Sequence, residues 1–131
     1  MSRYGWTFCG AVLGAVGVAA GAFGAHALGD HPQIATFDVA VRYQMYHALA
    51  MLAVGQTTGR CAQVAGWFFA CGVVLFSGML YLRVLGAGIW SVHVVPVGGT
   101  LLIAGWVALA CAAAARATSS PGGTLEDVAG A

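Results

Sequence analysis

Four long stretches without a charged side chain constrain this chain more than any other feature. Residues 4–29, 43–59, 61–82 and 84–115 contain no Asp, Glu, Lys or Arg. The hydrocarbon core of a bilayer is about 30 Å thick, and a helix needs about 20 apolar residues to cross it. Three of the stretches reach that length alone, and the second reaches it when residues 37–42 are added. The pattern predicts a polytopic membrane protein.

Composition narrows the fold class further. Only 7% of the 131 residues are charged, whereas a soluble domain carries about 25%, and the net charge of +1 offers no electrostatic footprint for nucleic acid. Because lipid cannot satisfy backbone polar groups, the spans must be helices or a closed barrel. The apolar runs lack the alternation of barrel strands. We expect an all-α, four-transmembrane-helix bundle with short loops.

Turn residues divide the chain into one membrane domain, residues 1–116, and a polar tail, residues 117–131. The predicted spans cover residues 4–28, 36–58, 62–85 and 96–116. The last span is expected to start at Pro96, because proline suits the first turn of a helix. The tail has no residues that could form a core, which predicts flexibility. The first span resembles a secretory signal, but its apolar run exceeds an h-region, and we interpret it as a retained helix.

The distribution of the arginines gives a weak indication of how the chain is oriented in the membrane. Arg3, Arg60 and Arg116 fall on one side of the membrane, and Arg42 and Arg83 fall on the other. Since arginine accumulates in cytoplasmic loops, three against two favours both termini in the cytoplasm of a bacterial inner (plasma) membrane.

The tryptophans are interpreted as belt residues. Aromatic belts mark the two membrane surfaces, and Trp6, Trp67, Trp90 and Trp106 are assigned to positions near the span ends.

A glycine seam runs along the first span. Its members are spaced by four and three residues: Gly10, Gly14, Gly17, Gly21 and Gly24. Glycine on a membrane helix lets another backbone approach closely. We expect the seam to pack against another span of the same chain, and the alternative is a docking seam for a second protein.

Polar residues concentrate in the second span and near the ends of its neighbours. The candidate functional cluster is His26, Asp38, Arg42, Tyr43, His47, Ser77, Tyr81 and His93. Asp38 and Arg42 are four residues apart and can pair. His47 falls near the midplane, where an ionisable residue faces protein or a cavity. It is interpreted as a neutral histidine bonded inside the bundle, to a Tyr or Ser of the third span or to a backbone carbonyl.

No reaction chemistry is evident in these residues. His26 and His47 differ by about 13 Å in predicted depth, which disfavours a bis-histidine haem. The cysteines and histidines show no metal-ligand spacing. We predict no catalytic, cofactor-binding or metal residues, and no enzyme activity.

Five ordered motifs resemble the domain-of-unknown-function 423 family, small bacterial inner-membrane proteins related to eukaryotic transmembrane protein 256. The motifs are GAFGAHAL (21–28), YQMYHAL (43–49), FSGMLY (76–81), PVGG (96–99) and GW (105–106). The resemblance implies four helices in the inner membrane and implies no activity.

Three functions stay open at this stage. The preferred one is a structural or accessory subunit that packs against a larger membrane complex, because small-residue surfaces are abundant and reaction motifs are not evident. The alternative is a transporter or carrier of a small solute or proton through a polar pocket in the outer half of the membrane. The third is a cofactor-binding redox subunit.

Overall fold

Helices account for nearly all of the residues that the computed structural model describes, namely 1–29, 31–86 and 91–119. The helices are α1 (Arg3–Ala27), α2 (Ile34–Gln56), α3 (Arg60–Val73), α4 (Met79–Val84) and α5 (Ser91–Ser119). A π-helical segment, Val74–Gly78, joins α3 to α4 without a break, so that these three pieces form one rod, Arg60–Val84. The all-helical class is therefore confirmed for this part of the chain.

Three helices are long and apolar enough to cross a membrane. They are Arg3–Ala27, Arg60–Val84 and His93–Thr118. Helix α2 is as long, at 23 residues, but its polar side chains keep it outside this group. The described residues therefore form four helical rods, three of which are candidate membrane spans.

The helix ends follow local chemistry. The Ser2 hydroxyl caps α1 by accepting a hydrogen bond from the Gly5 amide at 3.1 Å. Gly59, with φ of 104°, turns the chain between α2 and α3, and Gly86, with φ of 81°, follows α4. These backbone conformations are available to glycine at little cost.

Helix α5 begins earlier than the sequence predicted. It starts at Ser91, and Pro96 lies inside it. Proline removes one backbone donor, and so near the start of a helix it costs one hydrogen bond while the rest of the helix is intact. Of the predicted polar tail, residues 117–119 continue α5 and residues 120–131 lie outside the described residues.

The rods pack as two pairs, α1 with α2 and α3 with α5. A core of buried side chains joins the pairs, and its members are Trp6, Ala50, Met51, Val54, Ala65, Phe69, Val73 and Leu102. Helix α2 contributes buried residues along its whole length. Gln44 and His47 are among them, which places these two polar side chains inside the bundle.

Most of the glycine seam lies against α2. A Cβ atom on Gly10 would lie 2.7 Å from the carbonyl oxygen of Ala48, and one on Gly17 would lie 2.6 Å from the sulfur of Met45. Gly21 and Gly24 face Val41 and Phe37 of the same helix, whereas a Cβ on Gly14 would meet nothing within 4 Å. Contacts of this kind strengthen van der Waals packing between membrane helices.

Gly10→Ala is therefore expected to destabilise the protein. Its new methyl group would press on the Ala48 carbonyl, a backbone atom that cannot rotate away, at a cost of about 1–3 kcal/mol. Gly14→Ala is the matched control and should keep or raise stability, because alanine favours a helix over glycine by up to about 1 kcal/mol. The midpoint of thermal unfolding in detergent separates the two variants. Equal midpoints would show that the seam is not tightly packed.

Candidate functional site

His47 lies inside the bundle with both ring nitrogens engaged. It is 4% exposed. Its Nδ1 lies 2.7 Å from the Tyr43 carbonyl oxygen, and its Nε2 lies 3.2 Å from the Trp106 indole Nε1. A carbonyl can only accept and an indole N–H can only donate. These partners assign the proton to Nδ1, so His47 is a neutral imidazole that donates to α2 and accepts from α5.

Trp106 was misplaced by the sequence analysis. It lies at the middle of the candidate span His93–Thr118 and not at a membrane surface. An indole N–H at that depth needs an acceptor, because lipid chains offer none, and His47 supplies it. The Phe69 ring completes the contact, with its centroid 5.4 Å from that of Trp106 and 5.5 Å from that of His47.

Gln44 connects three helices and was not in the predicted cluster. Its Nε2 donates to the Leu13 carbonyl oxygen of α1 at 2.8 Å. Its Oε1 accepts a hydrogen bond from the Tyr81 hydroxyl of α4 at 3.0 Å. The sequence carried one signal for it, since Gln44 is three residues from His47 and thus shares its helix face.

Removing this link should cost stability. Gln44→Leu leaves the Tyr81 hydroxyl unpaired at the protein interior, and Tyr81→Phe leaves Gln44 Oε1 unpaired; each is expected to cost about 1–2 kcal/mol. Because they break the same bond, the double variant should cost less than the sum. A double-mutant cycle of unfolding free energies measures this coupling, and additive effects would contradict the bond.

The outer members of the predicted cluster lie on the surface of the bundle. His26, Asp38, Arg42 and His93 are all exposed, and among the described residues no group of His, Cys, Asp or Glu could hold a metal ion. Within the same residues no ion pair joins Asp38 to Arg42. The expected pocket grouped residues of the outer half of the membrane, whereas rotation about each helix axis decides which side chains face one another. The four-residue spacing of Asp38 and Arg42 allowed an ion pair but did not require one.

Ser77 is buried but stands apart from the hydrogen-bonded pairs. Its hydroxyl is enclosed in the π-helical segment and has no hydrogen-bond partner in the described part of the chain. Ser77 therefore takes no part in the bonds of His47 or Gln44.

A cavity of about 400 Å³ opens beside His47. It lies between α2, the π-helical segment and α5, and its lining residues are Tyr43, Tyr46, His47, Phe76, Gly99, Leu102, Ile103 and Trp106. The Tyr43 and Phe76 rings are 4.7 Å apart between centroids. The lining is aromatic and aliphatic, with few polar atoms, and so suits an apolar occupant.

Comparison with known sequences decides the family. The family model described as "Protein of unknown function (DUF423)" matches residues 20–99, a range that holds Gln44, His47 and Tyr81. The chain belongs to the DUF423 family. The resemblance found in the sequence motifs is thereby confirmed.

The relatives are named as membrane proteins of bacteria. A "UPF0382 membrane protein" of Staphylococcus aureus (strain bovine RF122 / ET3-1) is 39% identical over 107 residues, which covers 76% of this chain and 87% of that protein. The "UPF0382 membrane protein YwdK" of Bacillus subtilis (strain 168) is 35% identical over 118 residues, covering 79% and 91%. A Haemophilus influenzae relative is 36% identical over 99 residues, covering 71% and 80%. No solved structure matches this DUF423 protein.

Proposed function

We propose that this DUF423 protein crosses the bacterial inner membrane four times, with both termini in the cytoplasm. Helix α2 is the fourth crossing. Its 23 residues span about 34 Å, enough for the hydrocarbon core. Gln44 and His47, which lower its apolarity, are buried and bonded to other helices, so they do not face lipid. Asp38 and Arg42 are exposed, but they lie in the first half of the helix, from which a long arginine side chain reaches the polar surface.

The protein acts as a structural or accessory subunit that packs against a larger membrane complex. The observation that carries this proposal is that both ring nitrogens of His47 form hydrogen bonds within the bundle. Gln44 likewise uses both ends of its amide to hold helices together. The polar groups at mid-depth thus support helix packing, and no enzyme activity or cofactor belongs to the proposal.

One observation favours a second function. The cavity beside His47 could form part of a path for a small solute or a proton, which would make the protein a carrier. That function requires His47 to release Trp106 or Tyr43 during each cycle. The third candidate function is a redox subunit that ligates a cofactor through His47. It also requires His47 to give up one of these two hydrogen bonds.

His47→Gln tests the proposal. A glutamine amide keeps one donor and one acceptor, so it can replace the imidazole between Tyr43 and Trp106, but it cannot titrate. We expect the variant to assemble normally and to co-purify from native membranes with the same chains as the wild type. Mass spectrometry after mild crosslinking identifies those chains, and a wild-type protein that purifies alone would contradict the accessory role.

The same variant also tests the carrier function. Proteoliposomes loaded with a pH-sensitive dye report proton flux, and we expect the wild type to match empty liposomes. A flux present in the wild type and lost in a well-assembled His47→Gln variant would replace the accessory role with transport.

A further inference from the structure

In the proposed four-span topology, the cavity beside His47 lies near mid-depth, where hydrocarbon-soluble molecules reach it. Trp106 lies at the middle of the span His93–Thr118, and Phe76 lies just past the middle of the span Arg60–Val84. Three of the lining residues, Tyr46, Ile103 and Trp106, are exposed on the outside of the bundle. With the proposed membrane crossing, on which this inference rests, the cavity opens laterally into the bilayer interior, near mid-depth and toward the side where α5 begins. A phospholipid ester or headgroup belongs to the polar surface about 15 Å from the midplane, so it does not reach this level.

Two phenol hydroxyls that line the cavity have no hydrogen-bond partner among the described residues. Tyr43 is 39% exposed and Tyr46 is 52% exposed, and both line the cavity. In the part of the chain that the structure describes, neither hydroxyl makes a hydrogen bond. A hydroxyl without an acceptor in hydrocarbon is unfavourable, because its lost hydrogen bonds to water are not replaced, so these groups suit an occupant that brings acceptor atoms.

The walls suit a flat ring. The rings of Tyr43, Phe76 and Trp106 line the cavity together with Gly99, which contributes no side chain. A Cβ on Gly99 would lie 3.6 Å from the Phe76 ring, an ordinary contact distance. Aromatic side chains favour offset-stacked or edge-on contacts with other rings. A side chain at position 99 would reduce the space available for a bound ring.

We propose that this cavity binds the ring of a membrane-soluble quinone. A quinone is neutral and soluble in hydrocarbon, its ring is flat, and its carbonyl oxygens accept hydrogen bonds from Tyr43 and Tyr46. Its alkyl or isoprenoid tail leaves through the lateral opening into the lipid. His47 contributes a wall and no donor, because its Nδ1 donates to Tyr43 and its Nε2 accepts from Trp106.

The experiment uses the full-length protein in phosphatidylcholine nanodiscs and decylubiquinone as the probe. A quinone in contact with an indole quenches its fluorescence. Because the chain has four tryptophans, a Trp106→Phe variant measured in parallel identifies the part of the quenching that belongs to Trp106. We expect a saturable component of quenching in the wild type. Tyr43→Phe and Tyr46→Phe should each raise the half-saturating concentration about 2- to 10-fold, the value of one neutral hydrogen bond. Tyr4→Phe, on the exposed face of α1, is the matched control and should bind as the wild type does.

A filling variant provides a second test. Gly99→Leu occupies the cavity and should abolish the saturable component, while the thermal unfolding midpoint confirms that it folds. Quenching that rises linearly with quinone and is equal in all variants would overturn the proposal, since it reports partition into lipid alone. Decylbenzene has a ring and a tail but no carbonyls. If an equal concentration of it displaces decylubiquinone and removes half of the saturable quenching, the cavity is a slot for alkyl chains and the quinone assignment is wrong.

Discussion

Gly98→Leu is expected to produce the largest loss of stability among glycine replacements in this protein, about 3 kcal/mol or more. A Cβ on Gly98 would lie 2.6 Å from the Phe76 amide nitrogen and 2.8 Å from the Leu75 carbonyl carbon. Both are backbone atoms of the π-helical segment, so no side-chain rotation can relieve the overlap. Helix α5 would have to move away from the rod Arg60–Val84.

Gly78→Leu is the control for this variant. Gly78 belongs to the same π-helical segment, but a Cβ there would meet nothing within 4 Å, so the added side chain should extend outward at little cost. Unfolding in mixed micelles, followed by helical circular dichroism, measures both variants. If they unfold at the same denaturant concentration, the close approach of Gly98 to the π-helical segment does not support the fold.

Three of the helical rods were predictable because apolar length alone requires them, whereas α2 reaches the length of a span only with residues 37–42 added. A run of uncharged residues must be long enough to cross lipid and must be helical once there, and the turn glycines at 59 and 86 mark two of the breaks. The π-helical segment was not predictable in this way. It lies where Gly98 presses on the backbone of another helix, and a contact between residues more than twenty positions apart leaves no local pattern.

The candidate site was predictable in depth but not in rotation. Counting residues placed His47 near the midplane, where the structure has it buried. His26 and His93 were grouped with it because they belong to the same outer half of the membrane, yet both are exposed, because position along a helix does not tell which way a side chain faces. Trp106 was assigned to a surface belt from its residue type. Its position at the middle of a span means instead that its indole N–H needs a hydrogen-bond acceptor inside the protein, and His47 is that acceptor.

Phe69→Ala should also destabilise the protein strongly, for a reason specific to membranes. Phe69 is fully buried and its ring contacts Trp106 and His47. No hydrophobic transfer term separates protein interior from lipid, so the loss is the cavity term: about 100 Å³ at about 24 cal/mol per Å³, or about 2.4 kcal/mol. Phe8→Ala, at a ring that is 69% exposed, leaves no cavity and should change little.

Gly105→Ala tests the packing of Phe69 further, because its effect on stability is expected to change sign between the wild type and the Phe69→Ala variant. A Cβ on Gly105 would lie 2.6 Å from the Phe69 ring, so Gly105→Ala should destabilise the wild type by about 1–3 kcal/mol through overpacking. In the Phe69→Ala background that ring is gone, and the same methyl group fills part of the empty space. There Gly105→Ala should raise the free energy of unfolding, a coupling that a double-mutant cycle detects. If Gly105→Ala lowers stability equally in both backgrounds, Phe69 does not pack on Gly105 and the interface between α3 and α5 is arranged differently.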